Sequence, residues 1–191
     1  MAPGFLRRLL RLSGSGAIMR RYFVVNGFDG ALTLLGLLMG FHVSDQVDLE
    51  TVITSCLATT LALGVSGVSS AYISEAAERR SSLAALERAM LADLKASDHG
   101  RAAVWIPWLV ALVNGSAPFL IGLVIVTPLW LARYGPGLPM APLPAAMATA
   151  LAVIFALGVF LGRIGGVSWF WSGTKALLVG LLTLGLIQLI G

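Results

Sequence analysis

The chain has 191 residues, of which 58% are hydrophobic and 12% charged, with a mean hydropathy of +0.90. Soluble domains carry about 25% charged residues, so the composition excludes an ordinary soluble domain and reads as an integral membrane protein. The net charge of +4 does not point to nucleic acid, because the basic residues fall in short segments beside apolar stretches, where they orient a chain in a membrane.

In chain order, residues 1–21 form a basic N-terminal segment. Within it Phe5-Leu-Arg-Arg-Leu-Leu-Arg-Leu12 is amphipathic and suits a short helix on an anionic inner leaflet, its apolar run being too short for a secretory signal. A helix needs about 20 apolar residues to cross the hydrocarbon. Five segments qualify, Tyr22 to Phe41, Val52 to Ile73, Pro107 to Leu131, Ala145 to Leu161 and Trp169 to Ile190. The expected fold class is therefore all-α, a five-span transmembrane domain over residues 22–191 with a short cytoplasmic helical insert at about 74–101.

Loop charge orients these spans. The N-terminal segment carries Arg7, Arg8, Arg11, Arg20 and Arg21, whereas the first loop has Asp45, Asp48 and Glu50 and no Lys or Arg. The second loop holds Arg79, Arg80, Arg88, Lys95 and Arg101, the third only Arg133, and the fourth Arg163, with Lys175 able to snorkel to that side. The positive-inside rule then predicts a cytoplasmic N-terminus and an external C-terminus. Tyr22, Trp105, Trp108, Trp130, Tyr134, Trp169 and Trp171 fall at the span ends, where amphipathic rings favour the headgroup level. The alanine, leucine, glycine and arginine bias points to a prokaryotic plasma (inner) membrane.

The second span is expected to run on as an amphipathic helix from Ser74, with Leu83, Leu86, Met90 and Leu94 on one face and Glu75, Glu78, Arg79, Glu87 and Arg88 on the other, ending at Asp98-His99-Gly100. The third loop, Arg133 to Pro144, is dense in Pro and Gly and is expected to be irregular. Pro118 predicts a kink in the third span. Cys56, the only cysteine, permits no intramolecular disulfide or cysteine-rich metal site and reads as a small packing residue. Val25-Asn-Gly27 recurs as Val113-Asn-Gly115, too little to define an internal repeat.

One carboxylate lies inside the first span. Placing Asp near the centre of a membrane helix costs about 2.5–3.5 kcal/mol, so such a residue is paired, lines a cavity, binds a cation or carries a proton. Asp29 is accordingly the leading candidate metal or proton site, with structural pairing to Lys175 or Arg163 as the alternative. Asn26, Thr33 and Gly40 lie along the same side of the helix, and Thr51, Ser55, Thr59, Ser66 and Ser70 form a hydroxyl stripe on the second span. Met39 is ten residues from Asp29, about 15 Å along the axis, too far to share one ion within a protomer. His42 and His99 form no metal cluster by spacing. No metalloprotease helix motif, phosphate loop or pair of intramembrane aspartates is present, so the chain does not read as an enzyme.

These residues resemble the vacuolar iron transporter family. Asp29-Gly30, Thr33 and Gly40 match its first-span spacing, and Ser66 with Tyr72-Ile-Ser74 resembles its second-span Ser-Met-x-x-Gly-Glu-Tyr-x-Ser element. Pro107-Trp108, Ala111, Phe119, Gly122 and Pro128 resemble its third span, and Gly162-Arg163-Ile-Gly165 and Gly180 to Gly191 its last two. The resemblance spans about residues 20–191. It implies a homodimer in which the first two spans line a path for iron(II) or manganese(II) as the transported ion, exchanged for protons out of the cytosol, with no resident cofactor. Asp29 would face its symmetry mate, so that metal binding expels a shared proton. Asn26, Thr33, Ser66, Ser70 and Tyr72 would line the path, and Glu75 and Glu78 would mark where metal enters from the cytoplasm. Gly67 and Ala71 stand where the family carries Met and Glu, and most of its Glu-rich cytoplasmic helical domain is missing. A non-transporting interaction protein and a transporter of another small cation are the competing expectations.

Overall fold

In hydrocarbon no water is available to backbone N–H and C=O groups, so a spanning segment must satisfy them within itself. The computed structural model, which describes residues 15–44, 47–135 and 139–190, meets that condition with helices alone among the described residues. They are α1 (Ser15–Val43), α2 (Leu49–Met90), α3 (Asp98–Tyr134), α4 (Pro142–Ile164) and α5 (Trp169–Ile190). All five are long and apolar enough to cross a membrane, as expected of an integral membrane protein. The amphipathic stretch expected at Phe5 to Leu12 lies outside the described residues, as does Asp45.

α2 has 42 residues and α3 has 37, about 63 and 55 Å at 1.5 Å per residue, well beyond the roughly 30 Å of a hydrocarbon core. The second span and its amphipathic extension are therefore one helix. It stops at Met90, followed by Leu91 in the left-handed region at φ 51°. This corrects the expected end at Asp98-His99-Gly100, which instead forms the first turn of α3. The hydroxyl Oγ of Ser97 accepts the N–H of Gly100 at 3.3 Å, the geometry of an N-cap. Leu94 consequently lies in the connection and Met90 is 58% exposed, so neither continues the apolar stripe of Leu83 and Leu86.

Two further expectations change at the third loop. α3 runs on to Tyr134, and α4 begins at Pro142. Proline is accommodated in a first helical turn because its missing N–H has no intrahelical partner there.

Contacts divide the chain into two compact units, one holding described residues 15–23 and 64–116, the other 24–63 and 117–190. In the first unit Ala102, Ile106 and Val110 of α3 form a buried row covered by Ile18, Met19 and Tyr22 of α1. Gly115 lies so close to Val68 and the Gly64 carbonyl that no Cβ would fit. Beside it, the Asn114 side-chain amide donates to the Gly67 carbonyl at 2.8 Å. Tyr72 and Trp108 stack with ring centroids 4.4 Å apart.

The second unit buries Leu34, Leu35 and Leu38 of α1, Val52 and Cys56 of α2, Ile125, Val126 and Leu129 of α3 and Ile154 of α4. Burial of Cys56 agrees with its packing role. α4 and α5 form a hairpin turned by Gly165 to Ser168, with Gly166 at φ 67°. Its seam is made of small residues. A Cβ on Gly158 would lie 2.6 Å from that of Ala176, and one on Gly162 2.8 Å from that of Ser172. Such residues let membrane helices gain dispersion contact along their backbones.

Candidate functional site

Asp29 is the middle residue of the 29-residue helix α1. Its placement follows from what surrounds it in sequence. Val24, Ala31, Leu34, Leu35 and Leu38 form the buried face of the helix. Gly27 meets Ile121, and Gly30 meets Pro118, where an added Cβ would lie 2.8 Å from the proline Cβ and 3.0 Å from its Cα. Seating Gly30 against α3 turns its neighbour Asp29 to the outer face, in line with Val25 and Thr33, all three exposed on the protomer. The expected stripe is therefore divided. Asp29 and Thr33 face outward, Asn26 is half-buried, and Gly30 packs inward.

Thr33 donates its hydroxyl to the Asp29 main-chain carbonyl at 2.7 Å, so its proton serves the helix and its lone pairs remain outward. Among the described residues no ion pair joins Asp29 to Lys175 or Arg163. Lys175 is exposed, and the Arg163 guanidinium lies 5.9 Å over the Trp169 ring. Met39 is buried, 7% exposed, and packs within the second unit.

Asn26, Asp29 and Thr33 belong to the second unit, and Ser66, Ser70, Tyr72, Glu75 and Glu78 to the first. Ser66 and Ser70 are exposed, as is Ser69, which donates to the Val65 carbonyl at 2.9 Å. Tyr72 is half-buried against Trp108. Glu75 and Glu78, expected on one solvated face, differ in environment. Glu78 is exposed, whereas the Glu75 side chain is 8% exposed and accepts from Arg79 Nε at 2.8 Å. The cause is the i, i+4 spacing, which lays a cation over the carboxylate one turn on. His42 and His99 are exposed, and among the described residues no three His, Cys, Asp or Glu side chains converge to hold a metal.

Sequence reasoning passed over two buried polar groups. Asn114, 6% exposed, bridges to α2, and Thr60, 1% exposed, donates to the Cys56 carbonyl at 2.7 Å while lying against Gly122. An amide within an apolar span was the available signal for Asn114, because a buried amide needs partners.

Outside the spans, Asp48 caps α2. Its carboxylate accepts the Thr51 N–H at 2.6 Å and the Thr51 hydroxyl at 2.8 Å, and these bonds, the backbone one foremost, hold its pKa below the ordinary carboxylate value. Glu50 and Arg133 approach to 3.6 Å, largely exposed.

No protein-family model, curated protein or solved structure matches the chain.

Proposed function

We propose that this chain is a membrane transporter for a divalent cation, iron(II) or manganese(II), working as a homodimer and exchanging the metal for protons, with Asp29 as the ion and proton site. The observation that carries the reading is the exposure of Asp29 on the protomer, at the middle of an apolar helix and without an ion-pair partner in Lys175 or Arg163. A carboxylate facing lipid there is costly. A second copy presenting the same face would turn two lipid-facing carboxylates into a water-filled cation path. Two facing carboxylates retain a shared proton until a cation replaces it, which couples metal entering to proton leaving. Asn26 and Thr33 would stand beside Asp29 in that path, and the resemblance adds Ser66, Ser70 and Tyr72 as path-lining residues.

The resemblance implies outward transport, and the basic residues around the α2–α3 connection fit a cytosolic placement of that end of both helices. The resemblance to vacuolar iron transporters in Asp29-Gly30, Thr33 and Gly40 supports iron or manganese as cargo. A second reading keeps Asp29 and changes the cargo to a proton or another small cation. Gly67 and Ala71 favour it, because the family's Met and Glu ligands are replaced by residues without donor side chains.

The deciding experiment is flux in proteoliposomes loaded with a metal-sensitive dye. Wild type is expected to move iron(II) or manganese(II) with opposing proton movement, and Asp29→Asn to lose at least about tenfold of the rate. Equal rates for the two proteins would reject the assignment.

A further inference from the structure

Within the first unit, the end of α2 and the beginning of α3 enclose a groove of about 220 Å³. Its walls change character along the helix axis. Tyr72, Val104 and Pro107 line one end, Ala76 and Ala103 the middle, and Arg80 and Lys95, with Leu83 beside them, the other. Tyr72 and Pro107 sit at expected span ends, and Trp105 and Trp108 beside them are 44% and 47% exposed, the placement of rings at headgroup level. Arg80 lies eight residues beyond Tyr72, about 12 Å along the helix, on the watery side. No carboxylate lines the groove.

Lys95 is carried there by the connection between the helices. Gly100, in the first turn of α3, packs under the carbonyls of Leu94 and Lys95, and a Cβ would lie 2.6 Å from the Leu94 oxygen. The absent side chain lets the connection fold back on the helix start. Ser97 stabilises the turn by donating its hydroxyl to the Leu94 carbonyl at 2.6 Å.

We propose that this groove binds the headgroup phosphate of an anionic phospholipid, with Arg80 and Lys95 on the phosphate and the glycerol and upper acyl carbons along Val104 and Pro107. An apolar floor leading to two cations matches an amphiphile of that polarity, and basic pockets at the cytoplasmic ends of membrane helices suit such headgroups. The inference rests on the membrane placement and orientation given under the proposed function and is independent of what Asp29 carries.

The test uses the full chain purified in mild detergent, with lipid retention followed by native mass spectrometry. Phosphatidylglycerol is expected to be retained at least about tenfold over phosphatidylcholine with the same acyl chains. Each basic residue near a membrane surface is worth about fivefold, so Arg80→Ala with Lys95→Ala should remove most of that preference. Arg80→Lys with Lys95→Arg should keep it, as should Arg133→Ala with Lys175→Ala, an equal loss of charge elsewhere. If the first alanine pair fails to fold, the single exposed change Lys95→Gln carries the test, with about a fivefold loss expected. Equal retention of the two lipids, or an unchanged preference in the groove variants, overturns the proposal. So does complete displacement of lipid by inorganic phosphate, which would make this a free-phosphate site. Loss of self-association in the groove variants without any lipid preference would mean that an acidic protein segment occupies the groove, and also overturns it. Asp29→Asn should retain lipid as wild type does, so failed transport and failed lipid binding are distinguishable.

Discussion

The side-chain amide of Asn114 spans from α3 to the main-chain carbonyl of Gly67 on α2, 2.8 Å away and buried. Gly67 is one of the positions at which the chain departs from the family motif it resembles. The missing side chain leaves its carbonyl open to an amide from the neighbouring helix. A methionine there would bring a long side chain to a crossing where Gly64 and Gly115 already bring the backbones together. Asn114→Leu is expected to lower stability by about 0.5–2 kcal/mol, the range of hydrogen bonds between membrane helices. Thermal unfolding in detergent checks this.

Gly30 is constrained by Pro118, and Gly40 has nothing within 4 Å of an added Cβ. Gly30→Ala should therefore destabilise by about 1–3 kcal/mol through overpacking, while Gly40→Ala should be neutral or stabilise by up to about 1 kcal/mol, because alanine restricts the unfolded chain. The contrast in melting temperature between the two variants tests whether Gly30 is what seats α1 and turns Asp29 outward.

Glu75 and Arg79 form a largely buried pair, with side chains 8% and 19% exposed. Glu75→Ala should cost about 1.5–3 kcal/mol, the value of a hydrogen bond between charged groups, whereas Glu78→Ala at an exposed position should change stability by less than about 0.5 kcal/mol. Manganese titration of the same proteins adds a second readout. If Glu75 serves mainly Arg79, its loss lowers the melting temperature equally with and without metal.

Asp48 gives a pH dependence of definite sign. Its folded pKa lies below the reference value of 3.8 because Thr51 stabilises the carboxylate through two hydrogen bonds. The unfolded state therefore binds the proton more readily. The stabilisation is complete above the unfolded pKa and disappears as pH falls through the lower folded value. Asp48→Ala should narrow its stability gap to wild type below about pH 4, and Asp48→Asn, still able to cap, should show no such dependence. Melting temperatures measured from neutral to acid pH test both.

The five helices were legible because a bilayer imposes a minimum apolar length, and α5 begins and ends at the residues expected, Trp169 and Ile190. Extensions beyond the apolar runs were not. α3 starts nine residues before Pro107, where hydropathy gives no mark and Asp98-His99-Gly100 reads equally well as an end or a beginning. Leu91 takes the left-handed conformation usually marked by glycine or asparagine, so the end of α2 carried no sequence signal. At the candidate site, the chemical identity of Asp29 was readable, but its outward orientation depends on the Gly30 contact with a helix far away in sequence. Glu75 is the opposite case, since Arg79 four residues on was in view, yet only packing shows that the pair is buried.

The glycine seam of the α4 and α5 hairpin divides α5 by substitution tolerance. Leu178, Leu182, Leu186 and Leu189 are 52–85% exposed, and any apolar side chain of similar length can replace them, so this side is free to drift. Gly173, against Phe155 and Val159, and Gly180, against Leu151 and Ile154, accept a larger side chain only if those neighbours shift. A saturation library of α5 would thus separate the exposed leucines, together with Gly185, which has nothing within 4 Å of an added Cβ, from Gly173 and Gly180, where larger side chains meet the neighbouring helix.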